Sequence, residues 1–278
     1  MNERSSLRQA GTLLLAGQLL YVVITLLHAG GNANDHHAIF AAYAGSGSWT
    51  AVHAGQFLAM AVMVAGLAGL FSALEGQGGG ERWVSRVGSG VALMALALYG
   101  ALQAVDGVAN KEADLAWLHA PNGEQAARFA GAEVVRWIEW GMRSYHGYAL
   151  GLALFVLALA VFRTARMPRL LAGLIGLTGL LYLVQGWLVG VEGFSPKASI
   201  TIVAAWVLGV VWMGWMALGG RPGLHRGDGL GGHELPTQRR RERRENAEVS
   251  TRSQCTDLTG KSTGNLLILV VEIGGPRT

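Results

Sequence analysis

VGSGVALMALALYGALQAVDGVAN, residues 87–110, is the stretch that decides the fold. From Val87 to Val105 it holds no charged residue. A helix of that length, rising about 1.5 Å per residue, crosses the ~30 Å hydrocarbon layer of a bilayer. Its far end carries Tyr99, Gln103, Asp106 and Asn110 at spacings of four, three and four, so the four side chains share one helical face. A polar face on an apolar helix belongs against other helices, not against lipid.

The rest of the chain repeats this pattern. Of 278 residues, 51% are hydrophobic and 14% charged, whereas soluble domains carry about 25% charged residues. Further apolar blocks lie at about 10–28, 50–74, 145–162, 170–191 and 198–218. The expected fold is an all-α polytopic transmembrane helix bundle with six spans. Residues 10–28 show no small-residue cleavage site and are followed by more spans, so they read as a retained helix and not a signal peptide. Ten of the 22 Lys and Arg residues follow Leu218. The basic balance therefore belongs to residues 219–278, expected as a disordered tail, and no nucleic-acid partner is expected.

Charge also orients the bundle. Residues 1–9 and the connections 75–86 and 163–169 hold seven Arg, whereas 29–50 hold no Lys or Arg and 192–197 hold only Lys197. By the positive-inside rule both termini are expected in the cytoplasm, as in a multi-pass protein of a bacterial inner membrane. The remaining connections then face outward. Residues 29–50 read as a Gly/Ala/Asn-rich loop ending at Trp49, an interfacial aromatic. Residues 107–121 read as an exposed loop. Asn122 and Gln125 have capping-box spacing, and the helix they start is expected to lie along the interface before turning inward near Tyr145.

Polar groups gather at the outward ends of the spans. His28 closes the first, His53 and Gln56 open the second, Gln103 and Asp106 close the third, and His146 opens the fourth. Glu133 and Glu139 precede the fourth span, and Gln185 lies late in the fifth. Convergent polar groups between apolar helices fit a pocket for a small molecule or lipid headgroup. His28, His53, Asp106 and His146 are also a candidate metal set, because imidazoles with a carboxylate suit zinc and would support a membrane-embedded hydrolase. Haem is disfavoured, because its histidines would sit deeper on facing helices. The adjacent His36 and His37 point apart in any regular structure and read as a loop feature.

Other chemistries are excluded. There is no phosphate-binding glycine loop and no dinucleotide fingerprint. The single Cys255 rules out an internal disulfide and a cysteine-based metal cluster. Gly147 with Gly151 and Gly186 with Gly190 are pairs that allow close helix approach. They offer faces for a homo-oligomer or membrane partner, and with them a third, structural reading of the chain.

Three segments carry a family likeness: Trp49-x3-His53-x2-Gln56, Val105-Asp106-Gly107-Val108-Ala109, and Glu133-x2-Arg136-x-Ile138-Glu139-Trp140-Gly141. Through them residues 10–218 resemble six-span bacterial integral membrane proteins classed as domains of unknown function. The resemblance implies a helical membrane fold and supplies no activity.

Overall fold

The computed structural model describes residues 3–75, 79–164 and 167–219. The tail expected beyond Gly219 lies outside the described residues. These residues form α1 (Glu3–Thr25), α2 (His36–Gly45), α3 (Trp49–Leu74), α4 (Gly79–Ala104), a π-helical segment (Val105–Asn110), α5 (Lys111–Leu118), α6 (Gln125–Thr164), α7 (Arg169–Glu192) and α8 (Pro196–Ala217). The expected all-α bundle is present, and six helices are long and apolar enough to cross a membrane. Large apolar side chains such as Leu26, Trp187 and Ile200 point outward, as lipid-facing positions do.

The six long helices pack in chain order around a ring. α1 lies against α3, α3 against α4, α4 against α6, α6 against α7 and α7 against α8, and α8 returns to α1. Between α6 and α7 the backbones nearly touch: a Cβ on Gly151 would lie 2.8 Å from the Gly179 carbonyl, and one on Gly186 would lie 2.8 Å from that of Ser144. The glycine faces read from the sequence as available to a partner are thus used inside the chain. Close backbone approach gains dispersion contacts that bulkier side chains would block.

Two connections expected as loops are helical. Residues 36–45 form α2, whose first turn is capped by Asp35 accepting from the Ala38 N–H at 3.2 Å. Residues 105–118 continue α4 through the wider π turn into α5. Asn110, Asp114 and Trp117 are buried there on one face. Lys111 ties α5 to α2, because its Nζ donates to the carbonyls of Tyr43, Ala44 and Ser46 at 2.8, 2.7 and 2.8 Å. These carbonyls lie at the C-terminal end of α2, where backbone donors run out; that of Tyr43 also accepts from the Ser46 N–H.

The α6 segment also departs from expectation. No interfacial helix turns inward at Tyr145; residues 125–164 are one continuous helix of 40 residues. At about 60 Å it is twice the hydrocarbon thickness. The excess length stands beyond the other spans and packs on α2 and α5 through a small core of Ile39, Phe40, Tyr43, Trp49, Trp117 and Ala132. Trp49 is 1% exposed and part of this cap, not of an interfacial belt. Gly193, at φ +66°, closes α7 in a left-handed turn. Asn34 clamps that turn by donating to the Glu192 carbonyl at 2.9 Å and accepting from the Phe194 N–H at 3.1 Å.

Candidate functional site

Beneath the cap, at the end of the bundle where α1 and α4 finish and α3 begins, lies a cavity of about 320 Å³. Helical periodicity places its walls. Tyr99, Gln103 and Asp106 come from the stripe on α4 and the π turn, and Arg136, Glu139 and Arg143 come from α6 at spacings of three and four. Tyr21, His28, Tyr43, Gln56 and Trp206 line it from the neighbouring elements. Five of the nine side chains expected in a pocket therefore line one cavity: His28, Gln56, Gln103, Asp106 and Glu139.

The other four lie elsewhere. His53 is buried directly behind Asp106, its Nε2 3.1 Å from Oδ2. Glu133 lies outside the cavity wall, bonded to His36 Nδ1 at 2.8 Å. Gln185 is fully buried behind Arg143; with its amide oxygen turned toward the guanidinium it accepts from Nε and Nη2 at 3.2 and 3.0 Å. His146 is fully buried against α4, Nδ1 donating to the Ala95 carbonyl at 3.0 Å and the ring 4.7 Å from that of Tyr99. Its expected place with the other histidines is corrected by the continuity of α6. Glu139 already occupies the cavity level, and seven further residues carry His146 about 10 Å deeper along the axis.

The two buried arginines differ. Arg136, 1% exposed, pairs through Nη1 with Glu139 Oε2, which also accepts from Asn110 Nδ2 at 2.6 Å. Its Nη2 donates to the Ala33 carbonyl at 3.2 Å, anchoring the loop that carries His28. Arg143 has only neutral partners among the described residues, Tyr21 Oη at 3.3 Å and the Gln185 amide. Neither arginine was assigned to the site from the sequence. The signal was the run Ala132, Arg136, Glu139, Arg143, His146 and Leu150 at helical spacing, which marks one buried face.

His28, His53 and Asp106 each offer a ligand atom within 4.8 Å of the others. The two histidine rings sit in an aromatic cluster, His28 tilted against Trp49 at 4.7 Å and edge-on to His53 at 5.1 Å by ring centroids. Asp106 is fixed from several sides. Its carbonyl accepts from Trp49 Nε1 at 2.8 Å, and its Oδ1 accepts from Asn110 Nδ2 at 3.2 Å. Burial holds the His28 imidazole below its ordinary pKa, against the opposing pull of Asp106. Burial likewise raises the Tyr43 phenol well above its usual range, opposed by Arg136. Both groups are neutral near pH 7. No family model, curated protein or solved structure matches the chain.

Proposed function

We propose that this chain is an integral membrane protein that holds a small anionic molecule in the cavity beneath its cap. With both termini in the cytoplasm, the cavity opens toward the outer face of a bacterial inner membrane. The observation that carries this reading is Arg143, a guanidinium buried in a spanning helix, on the cavity wall, with only neutral partners among the described residues. A lone charge at that depth is costly, and an anion arriving in the cavity supplies its counter-charge. Arg136 is already neutralised by Glu139. The volume suits a small molecule better than a lipid chain. Carboxylates and phosphates match the planar fork of donors on arginine.

The test is thermal unfolding of the detergent-purified chain against acetate, succinate, inorganic phosphate and glycerol phosphate. At least one should raise the wild-type Tm with increasing concentration, as ligand linkage requires, and should leave Arg143→Gln unmoved. A wild type indifferent to all four, or an equal shift in Arg143→Gln, overturns the reading.

A further inference from the structure

We propose that His28, His53 and Asp106 bind one divalent transition-metal ion of the zinc type at the edge of the cavity. The site stands on its own geometry and does not depend on what the cavity holds.

Three elements supply the ligands: the connection after α1, the second turn of α3, and the π segment after α4. Tetrahedral zinc with bonds of about 2.0 Å separates its ligand atoms by about 3.3 Å. His53 Nε2 and Asp106 Oδ2, 3.1 Å apart, already stand at that spacing. His28 completes the set by closing no more than about 1.5 Å.

The outer contacts match what metal ligands require. His28 Nδ1 lies 2.8 Å from the Ala29 carbonyl, and His53 Nδ1 lies 2.8 Å from that of Trp49. A carbonyl only accepts, so both Nδ1 atoms carry a proton and Nε2 is the nitrogen left to bind a metal. Metal-bound histidines are held this way, with the non-ligating N–H tied to an acceptor that sets the ring's angle. Asp106 likewise commits Oδ1 to Asn110, leaving Oδ2 for a ligand bond.

One atom points directly to a cation. His53 Nε2 belongs to a residue only 2% exposed and faces Asp106 Oδ2 at 3.1 Å. Two such atoms this close need a positive charge between them: a proton makes an imidazolium–carboxylate pair, and a metal ion displaces it and takes both atoms as ligands. The backbone enforces the approach. A Cβ on Gly107 would come within 2.7 Å of the His53 Cβ, so only glycine lets the π turn lie this close to α3. Two nitrogens and one oxygen suit zinc and its borderline neighbours. His28 and Asp106 both line the cavity, so the fourth coordination position opens on it, as in catalytic and not in closed structural zinc sites.

The test strips the full-length detergent-purified chain with a chelator and titrates it with Co²⁺, whose visible absorption reports coordination. Wild type should take up about one equivalent with a tetrahedral spectrum that Zn²⁺ displaces. His53→Ala and His28→Gln should each bind at least about tenfold more weakly, and His36→Ala, outside the cluster, should bind like wild type. His28 lies in a connection, so its variant keeps the test open if His53→Ala does not fold. A natively helical wild type that takes up no cobalt overturns the proposal, because a His53 imidazolium paired with Asp106 binds none. Equal uptake by wild type and both histidine variants also overturns it.

Discussion

Gly107 and His53 are in backbone-limited contact: a single added carbon on the glycine would sit 2.7 Å from the histidine's Cβ. That contact fixes the distance between the π turn and α3, and hence between Asp106 and His53. Gly107→Ala should push the two elements apart. The expected cost is about 1–3 kcal/mol of stability, as for other overpacked contacts, together with weakened cobalt uptake. Thermal unfolding and the cobalt titration measure the two effects on one sample. Unchanged unfolding and uptake would show that the contact does not hold the site.

Lys111 joins α5 to the end of α2 through three carbonyl acceptors. Lys111→Met keeps the aliphatic stem and removes all three bonds. Hydrogen bonds to a charged group contribute about 1.5–3 kcal/mol each at most, and water can replace part of them, so a net loss of about 2 kcal/mol is expected. Early proteolytic cleavage near α2 should accompany the fall in Tm, because the end of α2 loses its anchor. A variant as stable and as protease-resistant as wild type would remove Lys111 from this role.

Arg136 and Glu139 are a buried ion pair one helical turn apart. Arg136→Met alone leaves a buried carboxylate, and Glu139→Leu alone leaves a buried guanidinium. Each should cost about 3–5 kcal/mol. The double variant should cost clearly less than the sum, because neither charge is left alone, and a double-mutant cycle on unfolding free energies reads the coupling. Additive costs would show that each residue acts through other neighbours.

Glycines of α6 and α7 offer a matched comparison. Gly151→Ala places its new carbon 2.8 Å from the Gly179 carbonyl, whereas Gly173→Ala meets nothing within 4 Å. The first should lose about 1–3 kcal/mol, and the second should stay within about 0.5 kcal/mol of wild type. Comparable losses at both positions would mean that glycine is needed for its backbone and not for helix contact.

Much of this was legible in the chain itself, for a physical reason. Spanning helices are set by local hydrophobicity, so residues 87–105 announced one without reference to any other segment. The stripe Tyr99, Gln103, Asp106 and Asn110 was equally local, because side chains three and four apart share a face whatever surrounds them. The same logic applied further along. Asp106, Asn110, Asp114 and Trp117 continue the spacing through the segment read as a loop, and Arg136, Glu139 and Arg143 continue it through the segment read as interfacial. Their charges hid them, since a charged helix is ordinarily solvated; here they are buried between helices, Arg136 paired with Glu139 on the same helix and Asp106 with His53 across to α3.

The sequence alone determined six membrane-length helices and the polar faces turned away from lipid, because both follow from the composition and periodicity of short segments. Only the tertiary structure decided which polar groups meet. His28, His53 and Asp106 converge because a π turn and Gly107 draw one helix end against another, whereas His146, a chemical equal by sequence, lies about two turns deeper on an unbroken α6. Convergence depends on the register between segments distant in the chain, and no local pattern of residues encodes it.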